Sequence, residues 1–310
     1  MASGGDVLKE LLGGDLPGVP TSYSELQLVR VAEEYLSRGL RLALCTIVRK
    51  EGSAPRDVGA KILVGEDGRV FGTLGGGPFE ALVVSDALKA ISEGTPRLVK
   101  YSFTGSTVEG ARDTGLICGG VVEVFIDVLR PPPRAILVGF GRVGRPLYSF
   151  LRTLGFDVLV FDTSGDAVRE LVESGYSGVY VGPVEELVPR FREVSRSSDY
   201  VFVVYGEVEV DYTFVREALR SGVRAVWLLG SRRKVTEFVR RLLSEGLNPE
   251  EVSSRLRAPM GLDIGADTPE EVALSAAAEV VATMRGAQVR SLNIVPEVVA
   301  KLMSGDRVGV

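Results

Sequence analysis

Hydrophobic positions in the first 130 residues alternate between helical and strand spacing. Apolar residues three and four apart predict helices over 24–40 and 79–91. Short apolar runs bounded by turn residues predict strands over 42–48, 60–64, 69–73, 98–103 and 121–129. The pattern therefore predicts an N-terminal α+β domain over residues 1–130, in which the strands need not be parallel.

The pattern changes after Pro131, Pro132 and Pro133, a run that cannot continue a sheet ladder. Beyond it, apolar runs at 135–138, 158–161, 178–181, 200–204 and 225–229 alternate with helical segments. Uninterrupted apolar runs are typical of buried parallel strands, and their alternation with helices implies right-handed crossovers. The sequence therefore predicts an α/β protein whose second domain, residues 134–265, is a Rossmann-like doubly wound parallel sheet.

A last helix is predicted after Thr268, because Thr at the cap, Pro at the first helical position and Glu at the third form a helix-start signal. Its alanine-rich body over 272–284 favours close packing against another element. We expect this C-terminal helix and tail, residues 266–310, to pack back on the N-terminal domain.

The strongest motif is a glycine-rich loop that follows an apolar strand and opens an amphipathic helix. In it, Gly139 permits a tight turn, Gly141 lets the backbone approach a pyrophosphate, and Gly144 lets the helix meet the strand. The next strand ends at Asp162, whose carboxylate could accept a hydrogen bond from a ribose 2′-hydroxyl. The motif predicts a dinucleotide-type site that favours NAD over NADP; the alternative is a Rossmann fold whose loop binds something else or nothing.

Two segments of the first domain carry further candidate chemistry. Gly75-Gly76-Gly77, followed by Glu80, runs from a strand into a helix, and successive backbone N–H groups there can form an anion nest. The loop after the first strand offers the hydroxyl of Ser53 and the guanidinium of Arg56, which suit an anionic ligand. The alternatives are a tight strand-to-helix turn and an ordinary Gly/Pro loop.

Two more motifs complete the set. Cys118-Gly119-Gly120 places a thiol where a ligand can approach closely, although a free cysteine is more often a small buried hydrophobe. Ser231 and Arg232 follow the last predicted parallel strand, where open α/β sheets bind ligands, and a phosphate or plain solvent could face them. Cys45 lies among strand residues and is predicted to be core.

Composition narrows the function further. The net charge of −5 argues against a dedicated nucleic-acid partner. The chain has two cysteines and no histidine, which removes disulfide frameworks, histidine bases and cysteine-only or histidine-rich metal sites, so no metal site is predicted. No apolar run reaches the roughly 18 residues of a membrane span, and residues 1–20 lack a signal-peptide pattern, so we expect a cytoplasmic protein.

Taken in order, these motifs resemble the XdhC/CoxI family, the xanthine dehydrogenase accessory factors. The resemblance rests on 51–56, 75–80, 118–120, 139–144, 230–234 and 258–265. It implies a protein that binds molybdenum cofactor, as molybdopterin or its dinucleotide form, and assists its sulfuration and insertion into a xanthine dehydrogenase or CO dehydrogenase type enzyme. It also implies a molybdenum hydroxylase client, a cysteine desulfurase partner, a homodimer, and a chaperone rather than a catalyst.

The chain departs from the family pattern at two places. Pro78 stands where the family often has a cysteine, and Gly206-Glu207-Val208-Glu209 stands where it often has histidines. If the resemblance implies a catalytic step, Cys118 is then the thiol that would carry it out. Two other functions stay open: an NAD-dependent oxidoreductase, for which no proton shuttle is marked out, and a non-catalytic regulatory nucleotide-binding module.

Overall fold

The computed structural model describes residues 23–105, 108–296, 299 and 303. The chain divides into two compact units, Met1–Pro132 and Pro133–Val310, so the boundary falls inside the proline run. The N-terminal segment 1–22 and most of the tail after 296 lie outside the described residues. Within the described ranges, no helix combines the length and the apolar character needed to cross a membrane.

The first unit is an α+β domain, as the sequence predicted. Its elements are α1 (Glu25–Ser37), β1 (Leu42–Glu51), β2 (Lys61–Gly65), β3 (Val70–Gly72), α2 (Gly77–Glu93), β4 (Arg97–Thr104), β5 (Ala111–Asp113) and β6 (Ile117–Leu129). The strands form one sheet in the order β3-β2-β1-β6-β4-β5, antiparallel except for the β4–β5 pair. Helix α2 buries Phe79, Val83 and Ala87 in the core that includes Cys45 and Ile47.

The second unit is the doubly wound parallel sheet that the sequence predicted. Its elements are β7 (Arg134–Val138), α3 (Gly144–Thr153), β8 (Asp157–Asp162), α4 (Gly165–Glu173), β9 (Val179–Val181), α5 (Val184–Val194), β10 (Tyr200–Val203), α6 (Val208–Arg220), β11 (Ala225–Leu228), α7 (Arg232–Ser244), α8 (Pro249–Arg255), β12 (Leu256–Arg257) and α9 (Pro269–Arg285). The strand order is β12-β11-β10-β7-β8-β9. The order reverses between β7 and β10, which is where such sheets bind ligands.

Helix α9 belongs to the core of the second unit. Its buried residues Ala273, Ala276 and Ala277 pack in the same cluster as Leu147 and Leu151 of α3. The small side chains let the two helices approach closely. The alanine-rich sequence predicts such close packing, but it does not identify the element against which the helix packs. The alanine face of α9 is thus taken up inside the second unit, and packing of 266–310 on the N-terminal domain stays a prediction.

A carboxylate on α9 also fixes the loop over 258–265. Glu279 Oε2 accepts hydrogen bonds from the indole N–H of Trp227 at 2.8 Å and from the N–H of Gly261 at 2.7 Å. One turn earlier, the Ser275 hydroxyl donates to the Leu262 carbonyl at 2.7 Å. Trp227 is fully buried, so Glu279 satisfies a donor that would otherwise have no water to bond.

We expect Glu279→Ala to destabilise the second unit by about 2 kcal/mol, because two donors lose their acceptor. Glu279→Gln keeps a carbonyl acceptor and should cost less than half as much. Trp227 is the single tryptophan of the chain, so urea unfolding followed by its fluorescence reports this unit directly. Equal stability of the wild type and the alanine variant would contradict the assignment.

Candidate functional site

One loop of the first unit contacts the two glycine motifs of the same unit. A Cβ on Gly120 would sit 2.2 Å from the carbonyl oxygen of Ser53 and 2.7 Å from that of Glu51. A Cβ on Gly75 would sit 2.4 Å from the Pro55 ring. The loop over 51–56 therefore touches both glycine segments, and the fold brings these motifs into one continuous surface.

Part of this surface is bare backbone. Gly76, Gly77 and Gly119 have φ values of +74°, +65° and +83°, and a Cβ on any of them would meet no heavy atom within 4 Å. Backbone in the left-handed region favours glycine. The open space beside it lets a ligand lie close to the main chain.

The glycine turn is filled by a carboxylate of the protein itself. Glu80 Oε2 accepts hydrogen bonds from the Thr73 hydroxyl at 2.7 Å, from the Leu74 N–H at 2.8 Å and from the Gly76 N–H at 3.1 Å. The Gly75 N–H donates to the Thr73 hydroxyl at 3.0 Å. The sequence predicted that these N–H groups would hold an external anion, but the structure gives the donors of residues 74 and 76 to Glu80.

Arg56 supplies an uncommitted positive charge at the same place. It is exposed, and it makes no hydrogen bond or close ion pair with any described residue. The neighbouring carboxylate of Asp57 pairs instead with Lys50, 2.6 Å away. The Cγ of Arg56 lies 3.6 Å from where a Cβ on Gly75 would sit. The guanidinium is therefore free to bind an anion.

A shallow cleft of about 150 Å³ lies beside Arg56 and is also lined by Lys61 and Thr73. Lys61 is occupied, because its ammonium donates to Glu25 at 2.8 Å and to the Gly59 carbonyl at 3.0 Å. Arg56 is thus the cation of this cleft that a ligand can engage without breaking an ion pair.

The two cysteines have opposite environments. Cys118 is exposed at the start of β6, two residues before Gly120, and Cys45 is fully buried. Burial raises the pKa of Cys45 to about 12, with a further contribution from the charge of Asp86. Only the thiolate reacts readily, so Cys118 is the thiol that can meet a ligand or reagent.

We expect a maleimide or disulfide reagent to modify one thiol per native chain at neutral pH and two in denaturant. The fast site should be Cys118, since the Cys45 thiol is shielded and protonated. Mass spectrometry of the labelled peptides identifies the site. A Cys118→Ser variant that still labels quickly in the native state would contradict the prediction.

In the second unit, the glycine-rich loop sits at the switch point of the sheet. Gly139 has φ +98°, and a Cβ on it would lie 2.5 Å from the Tyr205 Cα in the loop after β10. A Cβ on Gly144 would lie 2.0 Å from the Gly139 carbonyl oxygen, whereas one on Gly141 would meet nothing within 4 Å. Two glycines are therefore needed for packing, and the third leaves the loop open to an approaching group.

Asp162 holds this loop from beneath. It is 4% exposed, and its two oxygens accept from the Phe140 N–H at 2.6 Å and the Ser164 N–H at 2.8 Å. Beside it, Thr163 and the hydroxyl of Tyr205 share a hydrogen bond. The structure shows that Asp162 orders this loop through backbone hydrogen bonds, and its contact with a ribose stays a prediction.

The start of α3 leaves donors for a ligand. No side chain caps this helix, and its first turn has no acidic residue. Arg142, in the loop before it, is exposed and bonds to none of the described residues. An uncapped helix start with a free guanidinium favours a bound anion.

Residues after β11 are used mainly by the fold. Ser231 caps α7 by accepting from the Lys234 N–H at 3.3 Å, while Arg232 is exposed. The Lys234 ammonium donates to the buried Asp211 and to the Leu229 carbonyl. The Asp211–Lys234 pair was not predicted from the sequence. The one feature that could have indicated it is an acidic residue in the first turn of the helix after β10.

Asp211 also accepts from the Gly206 N–H at 3.1 Å, so the buried pair links the loops after β10 and β11. Glu209, in the segment where the resemblance to the family led us to expect histidines, accepts hydrogen bonds from both terminal nitrogens of Arg241 at 2.8 Å. The segment therefore has a structural role here, with Glu207 left exposed.

Comparisons with known proteins place the chain. The "XdhC and CoxI family" model matches residues 35–102, and the "XdhC Rossmann domain" model matches residues 135–280. The uncharacterized protein YqeB of Escherichia coli is 35% identical over 240 residues, covering 77% of this chain and 42% of that protein. The molybdenum cofactor insertion chaperone PaoD of E. coli is 27% identical over 285 residues, covering 82% of this chain and 86% of PaoD.

A probable xanthine dehydrogenase subunit of Bacillus subtilis is 29% identical over 163 residues, covering 53% of this chain and 46% of that protein. The chain thus spans less than half the length of two of these relatives. The two family models together cover most of both units. The chain belongs to the XdhC and CoxI family.

Proposed function

We propose that this protein is a maturation factor for molybdenum cofactor, which it binds and passes to a molybdenum hydroxylase. The observation that carries the proposal is the single surface formed by 51–56, 75–77 and 118–120. It combines bare backbone, a free guanidinium and an exposed thiol. The similarity to PaoD, of which the chain covers 86%, supports the same role.

The residues present fit the chemistry of this cofactor. Its phosphate is an anion that the Arg56 guanidinium can bind with two parallel hydrogen bonds. The planar pyrimidine ring of its pterin can lie close to the open backbone at Gly76 and Gly77. When bound, the cofactor supplies a molybdenum–sulfur centre, for which a thiolate is a suitable soft ligand, and Cys118 is exposed beside this surface.

We further propose that sulfuration takes place on the protein, with a cysteine desulfurase as sulfur donor, and that the active form is a homodimer. Pro78, at the position of the family cysteine, is exposed next to Gly77. Cys45 is buried. Cys118 therefore remains the thiol that could receive or guard sulfur.

The experiment is equilibrium binding of molybdenum cofactor, released from a molybdoenzyme, to the purified full chain. We expect Arg56→Ala to weaken binding on the order of tenfold, because a charge-assisted hydrogen-bond pair is lost, and Arg56→Lys to recover part of the affinity. Cys118→Ala should shorten the lifetime of the bound cofactor. Arg38→Ala, which removes an exposed arginine at the end of α1, is the matched control.

Failure of the wild type to bind the cofactor would overturn the proposed function. Equal binding by the wild type and by Arg56→Ala would refute the proposed phosphate contact of Arg56 but not the proposed binding of the cofactor.

We also propose that the second unit binds a nucleotide such as NAD as a ligand. The supporting observation is the open Gly141 position before the uncapped start of α3. Nothing in the described residues marks out a proton shuttle for hydride chemistry, so binding is favoured over an oxidoreductase.

We expect Gly141→Val to abolish nucleotide binding while leaving the thermal midpoint unchanged. Its φ allows a side chain and a Cβ meets no atom within 4 Å, so the new side chain starts in open space beside the loop. Gly165→Ala is the control, because a Cβ there makes an ordinary 3.9 Å contact with Val181. Calorimetric titration with NAD measures the difference. Undiminished binding by Gly141→Val would refute this site.

A further inference from the structure

We infer that the site of the first unit reads the hydrogen-bond donor edge of a pterin, at its 2-amino group, through the free oxygen of the Glu80 carboxylate. This inference rests on the proposed cofactor function and names the chemistry that selects the ligand. The sequence predicted that the glycine turn receives an anion. We infer instead that the turn presents a carboxylate that accepts hydrogen bonds from the ligand.

The Glu80 carboxylate is used asymmetrically by the protein. All three of its hydrogen bonds, from the side chain of Thr73 and the N–H groups of Leu74 and Gly76, end on Oε2. No described residue donates to Oε1, and Glu80 takes part in none of the ion pairs among the described residues. An ionised carboxylate accepts on both oxygens, so half of its acceptor capacity remains.

The charge of Glu80 disfavours an anion in the glycine turn. A phosphate placed there would meet a carboxylate instead of the N–H groups, because those groups are already bonded to Glu80. Like charges at contact distance repel strongly where water is partly excluded. A group that donates hydrogen bonds is therefore the complement of this position.

The backbone that carries Glu80 is anchored to the hydrophobic core. Glu80 lies in the first turn of α2, next to Phe79, which is fully buried. The Phe79 ring packs edge-on against Tyr101 and Phe103, with centroids 5.3 and 4.9 Å apart. The backbone under the carboxylate is thus held by the core, and an acceptor fixed in advance loses less freedom on binding.

The free cation lies close to this acceptor. Thr73, which donates to Glu80, also lines the cleft beside Arg56. Donor recognition and anion recognition therefore occupy adjoining positions on one surface. A pterin that carries a phosphate has a donor edge at one end and an anion at the other, which matches this arrangement.

The test compares two ligands of the same ring system that differ in the substituent at C2 and in the protonation of N1. Pterin carries a 2-amino donor, whereas lumazine carries a 2-oxo acceptor at the same place. A site built around a carboxylate should reject the acceptor, because two acceptors then face each other. We expect the wild type to bind pterin about tenfold to a hundredfold more tightly than lumazine, as judged by the strength of hydrogen bonds to charged groups.

The variant is Glu80→Gln, and fluorescence titration measures both ligands. The amide oxygen can still accept from Leu74 and Gly76, and the amide nitrogen introduces a donor. The preference for pterin should fall to near unity or reverse, with a small drop in the thermal midpoint because an amide oxygen is a weaker acceptor than a carboxylate. Glu33→Gln, which neutralises an exposed glutamate of α1, is the matched control and should keep the wild-type preference.

A wild-type preference near unity, or weak binding of both ligands, overturns the inference, and this measurement does not depend on whether Glu80→Gln folds. A preference that survives in folded Glu80→Gln overturns it as well. Molybdenum cofactor binding is measured in parallel. If the wild type holds the cofactor without a Glu80-dependent preference, the inference fails alone. If the preference depends on Glu80 but no cofactor binds, the proposed function fails and the edge recognition stands.

Discussion

Contacts between backbone segments that leave no room for a Cβ hold both candidate sites together. In the first unit, Gly120 lies against the carbonyl of Ser53, and in the second, Gly144 lies against the carbonyl of Gly139. Each contact joins a helix or strand end to a neighbouring loop at a distance that any other residue would disrupt. The sites exist because these segments approach closely, and the side chains of the sites take their positions from that approach.

The same design recurs in the way that each glycine-rich loop is ordered. One carboxylate, Glu80 in the first unit and Asp162 in the second, accepts from the N–H groups of the loop beside it. Both acids were candidates for ligand contacts on sequence grounds, and both turn out to bond the protein's own backbone. Glu80 keeps one oxygen free of the described residues, whereas Asp162 uses both. The two acids therefore have different capacities for a ligand.

Hydrophobic spacing was sufficient for the fold class, because a buried parallel strand and an amphipathic helix each leave a local pattern. It was insufficient for the short strands β5 and β12, which contain three and two residues, and for the packing of α9 against α3. An alanine-rich face indicates close packing but does not say which element it will meet. The motifs around 51–56, 75–77 and 118–120 could be found in the sequence, and so could the burial of Cys45. The sequence did not decide whether Cys118 is buried or exposed. The hydrogen-bond partners of a carboxylate such as Glu80 could not be predicted from the sequence, because they are backbone groups whose positions depend on the folded turn.

The hydrogen bonds that Glu279 accepts from Trp227 and Gly261 have a consequence for folding during synthesis. Trp227 and Gly261 emerge from the ribosome well before their shared acceptor, since Glu279 follows Gly261 by 18 residues. Strand β11 and the loop beyond it thus stay incompletely bonded until most of α9 has been synthesised. A nascent second unit can form its sheet early, but its loop after β12 reaches its final shape only when α9 has left the ribosome.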